Sequence, residues 1–316
     1  MSMNPIQFQE GLSFKTFQSR YGTNQQCEDA LFASRWPNGW SCSRCSHTRY
    51  SRTHNGRRLW ECLKCGYQSS SIVGTVFEHT KLPLTTWFLA MYLLTQNKNG
   101  ISALALKRQL GVRYKTAWLI KHKLLKTMQL QEASRRLEGR VEIDDAYLGG
   151  EKAGKRGRGS DNKTPFVAAV QTDAKGRPRF IRLSPVVGFT RDALAQWAKD
   201  SLAPTAHVVS DGLGCFKALA AWVTQHERHV VGHGRQAVKH PEFHWVNTIL
   251  GNLKTALSGT YHAFKHTKYA DRYLAEFAYR FNHRFDLPAM LPQLLLAVVN
   301  TKPQPLCKIR LSEARG

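Results

Sequence analysis

The chain has 316 residues and carries 46 Lys and Arg against 22 Asp and Glu, which gives a net charge of +24. An excess of this size repels itself in a folded protein unless a polyanion neutralises it, so nucleic acid is the first candidate partner. No run of about 18 apolar residues predicts a membrane span, and the N-terminus lacks the basic start and apolar stretch of a secretory signal, which argues against membrane and secreted classes.

The first 36 residues show a short helical pattern, and a turn with Pro and Gly at 36–40 precedes a cysteine segment. Two C-x-x-C motifs follow, Cys42-Ser-Arg-Cys45 and Cys62-Leu-Lys-Cys65, with 16 residues between them. Four thiolates in two close pairs suit a tetrahedral zinc ion and leave no open position for water. We therefore predict a structural zinc ribbon that depends on its metal for folding. Buried thiols or a redox pair are the alternative, although redox chemistry needs only one pair.

The three other cysteines lack ligand spacing, and the odd total of seven is not typical of a disulfide framework, so a reducing compartment is expected. We interpret these three as core or incidental residues. They are Cys27, Cys215 and Cys307.

Basic residues are frequent in the predicted ribbon, which makes it a candidate DNA-contacting module, with a solvated basic face as the alternative. They are Arg44, Arg49, Arg52, Arg57, Arg58 and Lys64.

A helix-rich stretch follows, with helices predicted at 85–96, 102–110 and 113–128, and Gly111 stands where the second of them should end. The last two helices have the layout of a helix-turn-helix, whose second helix can enter a major groove. An ordinary helical bundle with a basic surface is the alternative. The basic face predicted for the second helix consists of Arg113, Lys115, Lys121, His122 and Lys123.

After Gly139 the pattern changes to strands, and a segment rich in Gly and like charge at 149–159 is predicted to be a mobile basic loop. Strands first and alternating units later favour an α/β fold, a mixed five-stranded sheet with helices on both faces, which is the order of a ribonuclease-H-like fold. The predicted strands are Val141–Ile143, Phe166–Val170, Phe180–Leu183, His207–Val209 and His229–Val231. The predicted helices of this region are 190–202, 215–226, 245–258 and 268–284.

The predicted organisation follows from these segments. It consists of a helical lead-in at 1–36, a zinc ribbon at 37–75, a helix-turn-helix-like segment at 80–130, a ribonuclease-H-like catalytic domain at 138–290 and a basic tail at 291–316.

Acidic residues are scarce, and several stand at predicted strand ends. Asp144 and Asp145 end the first strand, and Asp211 ends the fourth. In the predicted fold these two strands are neighbours, which brings Asp144 and Asp211 together. Carboxylates at adjoining strand ends can hold Mg²⁺, and paired ions about 3.5–4 Å apart support in-line phosphoryl displacement. A strand-end Asp followed by Gly is also common in turns, so Asp211-Gly212 alone favours the turn interpretation.

A polar helix comes next and begins near His244. Asn247 and Lys254 are seven residues apart, which places them on one face two helical turns apart. An oxygen ligand with a cation beside it could bind metal at one end and DNA phosphate at the other. Three histidines precede or begin this helix, and we interpret them as surface or phosphate-contacting residues, with metal binding as the alternative. They are His233, His240 and His244.

The chain resembles the IS1595-type insertion-sequence transposases, which carry an ISXO2-like transposase domain. The resemblance spans nearly the whole length and depends on motifs that are specific in combination. They are the lead-in Arg35–Gly39, the two cysteine motifs, Val141–Gly150, Ser210–Gly212, the segments His244–Asn247 through Lys254 and Gly259–His262, and the closing helix Tyr273–Asn282.

The resemblance implies a DDE-type recombinase in which Asn followed by Lys replaces the third acidic residue. Asp144 would then be the first ligand of Mg²⁺ or Mn²⁺, Asp211 the second and Asn247 the third, with Lys254 as the associated basic residue. Asp145 is the rival of Asp144, and Glu142 would at most stand behind the ligands. Some relatives place Glu three residues after the Asn, where this chain has Leu250.

The expected function is cleavage and strand transfer at the terminal inverted repeats of an insertion sequence. Element ends and target DNA would be the partners, a dimer or larger assembly would join two ends, and a bacterial, nucleoid-associated, cytoplasmic location would follow. A zinc-ribbon DNA-binding regulator with an inactive nuclease-like domain is the alternative, and a non-mobile structure-specific nuclease is a third.

Overall fold

The structure is a computed structural model. It describes residues 5–53, 59–149, 163–230, 240–261 and 265–311. Several predicted features lie outside these ranges: most of the basic loop, His233, Arg57, Arg58 and the last residue of the Gly259–His262 motif.

The helices alternate with two groups of strands along the chain. The helices are α1 (Phe14–Tyr21), α2 (Asn24–Arg35), α3 (Leu84–Gln96), α4 (Ala103–Leu110), α5 (Tyr114–Ala133), α6 (Arg191–Ser201), α7 (His244–Thr260), α8 (His266–Asn282), α9 (Met290–Asn300) and α10 (Leu306–Arg310). The strands are β1 (Tyr50–Arg52), β2 (Trp60–Cys62), β3 (Gln68–Ser69), β4 (Arg140–Leu148), β5 (Thr164–Thr172), β6 (Pro178–Pro185), β7 (His207–Asp211) and β8 (Gln225–His229). None of the helices in the described ranges is both long and apolar enough to cross a membrane.

The chain divides into two compact units. The first unit contains the cysteine segment, the helical stretch and the last two helices, and it consists of Met1–Asn97, Ala103–Thr127 and Phe285–Arg310. The second unit contains the larger sheet with its helices, and Met128–Arg284 makes up most of it.

Helix starts in the first unit follow their sequence signals. Ser13 caps α1 by accepting the Thr16 N–H, and Thr23 with Gln26 forms a reciprocal capping box at the start of α2. The segment predicted as a basic tail instead begins with α9, an apolar helix whose Leu291 and Leu294 are fully buried. The first unit therefore uses α9 as part of its core.

The helix-turn-helix layout is present locally, since Gly111 lies between α4 and α5 with a φ of +65°. The predicted basic face of α5 is wrong for its middle, however. Lys121 and His122 are fully buried and Lys123 is 8% exposed, its Nζ donating to the Val76 carbonyl at 3.2 Å. The helix is covered on most sides, which hydrophobic periodicity alone does not reveal, and its exposed basic residue Lys115 lies in the first turn, just after the exposed Arg113.

The sheet of the second unit has the order β6-β5-β4-β7-β8. Strands β4, β5 and β6 pair antiparallel, whereas β4, β7 and β8 pair parallel. One face of the sheet packs against α6, and the other packs against α7 and α8, with side chains alternating between two apolar clusters. This strand order and these directions are those of a ribonuclease-H-like fold, and the predicted fold class is confirmed.

The last strand and the helix before it differ from their predicted positions. The strand predicted at His229–Val231 lies at Gln225–His229 (β8), and the helix predicted at 215–226 is a shorter 3-10 helix, Gly214–Ala221. An edge strand with the sequence Gln-His-Glu-Arg-His has no apolar alternation, so its pattern does not predict a strand.

A buried polar cluster fastens the segment before α4 to α8 within the second unit. Tyr261 donates to Glu276 at 2.7 Å, and Arg280 donates to the same carboxylate at 2.9 Å. Gly100 lies against this cluster with a φ of +79°, and a Cβ there would stand 2.6 Å from Glu276 Oε1. The closing-helix motif and the Tyr of the Gly259–His262 motif thus meet in one network.

Gly100→Ala is expected to lower the free energy of unfolding by about 2 kcal/mol or more, because left-handed backbone strain adds to the clash with Glu276. Gly176→Ala is the matched control, since Gly176 has a φ of +69° and nothing within 4 Å of its added Cβ. Urea denaturation of both variants measures the difference. Equal losses would show that the cluster tolerates the added methyl group.

Candidate active site

Three carboxylates meet where β4 and β7 end. Asp144, Asp145 and Asp211 each offer a carboxylate oxygen, and these oxygens all lie within 4.8 Å of one another. The parallel register pairs Ile143 with Ser210, so one further step sets Asp144 beside Asp211. The strand adjacency expected from the sequence is present, and it includes Asp145 in the cluster rather than excluding it.

Side-chain alternation separates the three acids into two groups. Val209 faces the apolar cluster of α7 and α8, and therefore Asp211, two residues on, faces the same side. Asp144 faces that side as well, because Val141 and Ile143 both belong to the opposite cluster. Asp145 starts from the opposite face, and its N–H donates to Asp144 Oδ1 at 2.8 Å. Asp144 is therefore the better partner for Asp211.

The turn after β7 is held from two sides. Asp211 Oδ1 accepts the Leu213 N–H at 3.0 Å, and Arg228 donates to the Gly212 carbonyl at 2.8 Å. A Cβ on Gly212 would lie 3.2 Å from the Val230 Cα. These contacts fix the direction in which the Asp211 carboxylate points, and they confirm the turn interpretation of Asp211-Gly212.

Glu142 connects β4 to the first turn of α7. Its Oε2 accepts the N–H groups of Trp245 at 2.9 Å and Val246 at 3.0 Å, and its Oε1 accepts from Arg140 at 3.1 Å. Arg140 also pairs with Glu242, which precedes α7. Burial raises the pKa of Glu142, while the hydrogen bonds from Val246, Arg140 and Trp245 oppose that rise. Only a weak sequence signal points to this contact, namely a Glu two residues before the strand-end Asp.

Asn247 lies in the first turn of α7 and is half-buried, directly after the anchored Val246. Lys254 lies two turns further along the helix and is exposed. Val246, Ile249 and Leu253 of the same helix pack on the sheet face that carries Asp144 and Asp211. The structure thus places Asn247 on the carboxylate side of the sheet and leaves Lys254 open to a ligand.

Three of the described histidines, His229, His240 and His244, lie near this site, and none of them belongs to a group that could hold a metal ion. His229 pairs with Asp211 across β7 and β8, and its ring lies 5.3 Å from that of His240, centroid to centroid. His244 is exposed and packs edge-on against Trp245. Among the described residues, the groups able to hold a metal are the three aspartates and the four ribbon cysteines.

The four ribbon cysteines point at one another. Cys42 Sγ lies 3.7 Å from Cys65 Sγ, and Cys45 Sγ lies 3.6 Å from Cys62 Sγ. Zn–S bonds of about 2.3 Å in a tetrahedron put neighbouring sulfurs about 3.8 Å apart, whereas a disulfide needs about 2.05 Å. The spacing therefore fits four thiolates around one zinc ion.

The two cysteine motifs adopt the same local structure. The N–H groups of Arg44 and Lys64 each donate at 3.4 Å to the first Sγ of their motif. The residue after each second cysteine has a positive φ, +57° at Ser46 and +66° at Gly66. This repeat directs both sulfurs of each motif to the same point.

A small aromatic cluster supports the cysteines. Trp40 and Trp60 are buried beside Cys42 and Cys62, with Phe32 and Trp36 packed against them. Arg52 is half-buried in an ion pair with Glu28, whereas Arg44, Arg49 and Lys64 are exposed. The exposed basic residues leave the ribbon free to contact an anion.

Two protein-family models match segments of the chain that include these two sites. Residues 136–282 match the ISXO2-like transposase domain, and residues 22–68 match the transposase zinc-ribbon domain. The chain belongs to the IS1595 transposases. All four ribbon cysteines lie within the second match, and the aspartate cluster with Asn247 and Lys254 lies within the first.

One curated relative is an uncharacterized protein in transposable element ISH50 from Halobacterium salinarum, 33% identical over 153 residues. The match covers 48% of each, so this IS1595 transposase chain spans about half the length of the curated relative it matches.

Two solved structures also show a likeness to this chain. The crystal structure of the Mos1 mariner paired end complex with Mn has a TM-score of 0.24 at 12% identity, and the match covers 68% of this chain and 79% of that chain. The Mos1 transposase paired-end complex with left transposon end has a TM-score of 0.21 at 12% identity, covering 69% and 80%. At these scores the fold assignment depends on strand order and register, not on superposition.

Proposed function

We propose that this protein cleaves DNA at the terminal inverted repeats of its insertion sequence and joins the freed ends to target DNA. The observation that carries the proposal is the approach of three carboxylates, within 4.8 Å, at the neighbouring ends of β4 and β7 of a ribonuclease-H-like sheet. Three carboxylates this close repel one another, and a bound cation would offset that repulsion.

The carboxylates fit Mg²⁺ or Mn²⁺, which prefer oxygen ligands. Asp144 and Asp211 would hold the ions, with Asp145 and Asn247 completing the oxygen set. When bound, such ions activate the attacking oxygen and neutralise charge on the phosphoryl group.

The remaining residues would bind and orient the DNA. Lys254, exposed two turns beyond Asn247, is placed to contact a backbone phosphate. The exposed Arg44, Arg49 and Lys64 of the ribbon would hold DNA beside the cleavage site or further along the duplex. Because joining two ends requires two active sites, we expect a dimer or larger assembly on DNA.

Incubating the pure protein with end-labelled duplexes that carry the inverted repeats bordering its gene tests the proposal. We expect 3′-hydroxyl products with Mg²⁺ or Mn²⁺, none with EDTA, and joined products when a plasmid target is added. Scrambled repeats of equal length serve as the DNA control.

Each result separates the proposal from its alternatives. Cleavage without joining would favour a structure-specific nuclease. Salt-sensitive binding with no metal-dependent product, from wild type and Asp211→Ala alike, would favour a DNA-binding regulator with an inactive nuclease-like domain.

A further inference from the structure

Glu142 is a buried carboxylate that accepts two N–H groups from one helix start and a further hydrogen bond from Arg140 of its own strand. Its side chain is 2% exposed, and both oxygens are engaged. Burying a carboxylate costs free energy unless hydrogen bonds compensate for lost water. The hydrogen-bond partners of Glu142 therefore indicate the role of this carboxylate.

Helix α7 lacks a cap from its own sequence. Phe243 occupies the N-cap position and makes no side-chain hydrogen bond to the first turn. The first N–H groups of a helix have no partner within it, and a capping side chain or another acceptor must satisfy them. Glu142, from β4, takes this place through the Trp245 and Val246 N–H groups, where its charge also meets the positive end of the helix dipole.

Arg140 provides a second connection between β4 and the start of α7. Arg140, which shares the sheet face of Glu142, donates to Glu142 Oε1 and pairs with Glu242 in the short 3-10 helix Pro241–Phe243 just before α7. Two contacts from one strand to consecutive segments restrict both the position and the rotation of the helix start.

Glu142 lies on the same strand, β4, as Asp144 and Asp145 of the carboxylate cluster. Glu142 is two residues before Asp144 on the same face of β4, and Asn247 directly follows the anchored Val246. Displacement of the helix start would move Asn247 relative to Asp144 and Asp211. A neutral amide binds a cation more weakly than a carboxylate does, so its placement matters more.

We propose that Glu142 is the positioning residue of the site, which fixes Asn247 against Asp144 and Asp211 by capping α7 from the neighbouring strand. The inference rests on the proposed function, in which Asn247 serves the metal site. Glu142 itself contacts neither DNA nor metal in this role.

Glu142→Gln and Glu142→Ala test the role, with Glu132→Gln as the matched control. Glu132 is a second buried carboxylate of the same unit, and it accepts from Asn282. In metal-free protein, hydrogen–deuterium exchange at amides 245–247 should accelerate about tenfold in Glu142→Ala and less in Glu142→Gln. Exchange at these amides should stay unchanged in Glu132→Gln.

Cleavage assays give the second readout. Glu142→Gln should lower kcat or raise the Mn²⁺ concentration for half-maximal cleavage about tenfold to a hundredfold, with DNA affinity retained. Unchanged exchange at 245–247 would overturn the positioning role, whether or not the wild type cleaves. Unchanged kcat and Mn²⁺ dependence in an active protein would overturn it too. Absence of wild-type cleavage would overturn the proposed function alone and leave the exchange result decisive.

Discussion

Asp211→Asn is expected to abolish metal-dependent cleavage of the element ends while leaving DNA binding intact. The substitution keeps the shape of the side chain and its bond to the Leu213 N–H, and it removes one of the charges at the β4 and β7 ends. Loss of residues that only support metal ligands typically costs tenfold to a hundredfold, so loss of a direct ligand should cost about a hundredfold or more. Single-turnover cleavage in Mg²⁺ and Mn²⁺ measures this.

Stability gives an independent measurement. Three carboxylates this close repel one another without a cation, so the metal-free Asp211→Asn protein should melt at the same temperature as wild type or higher. Added Mn²⁺ should raise the melting temperature of wild type and raise that of the variant much less. An equal rise in both would contradict metal binding at Asp211.

Companion variants rank the three aspartates. Asp144→Asn should match Asp211→Asn, because both side chains face α7. Asp145→Asn should lose less activity, because its side chain starts from the other face and its backbone N–H already serves Asp144. Asp192, an exposed residue in the first turn of α6, provides the control substitution Asp192→Asn, which should cleave normally. A greater loss in Asp145→Asn than in Asp144→Asn would reverse the assignment.

Sequence patterns predicted the sheet and the meeting of Asp144 with Asp211, the first from local signals and the second from those signals together with the strand order of the predicted fold. Buried apolar strands and strand-end acids are visible residue by residue, and adjacency of the first and fourth strands follows from the fold. The roles of Asn247 and Lys254 depend on the family resemblance, and they stay predictions.

Features that depend on packing between segments distant in the sequence could not be predicted from local residue patterns. The middle of α5 reads as a basic surface, yet Lys121 and His122 are fully buried. Strand β8 is polar throughout, because an edge strand needs few apolar residues. The capping of α7 by Glu142 joins residues 103 and 104 positions apart, which no local motif encodes.

Removal of zinc is expected to unfold the ribbon and to weaken DNA binding, while the ribonuclease-H-like unit stays folded. The ribbon strands are two or three residues long, and its buried cluster consists mainly of two tryptophans and two of the cysteines themselves. So small a core cannot offset the conformational entropy of ordering the segment, whereas structural zinc contributes about 10–16 kcal/mol in comparable peptides.

Cys62→Ser tests this expectation, because it removes one of the four sulfur ligands from a buried position. The remaining three cysteines, including its motif partner Cys65, cannot complete the zinc tetrahedron. The variant should lose its single equivalent of zinc, and residues 40–53 and 59–69 should lose protection from hydrogen exchange. Cys307→Ser alters an exposed cysteine outside the ribbon and should keep both properties. Since the exposed Arg44, Arg49 and Lys64 would no longer be held by a folded ribbon, affinity for element-end DNA should fall, and so should the dependence of binding on salt. A Cys62→Ser protein that retains zinc and ribbon protection would show that the aromatic cluster, and not the metal, holds the ribbon together.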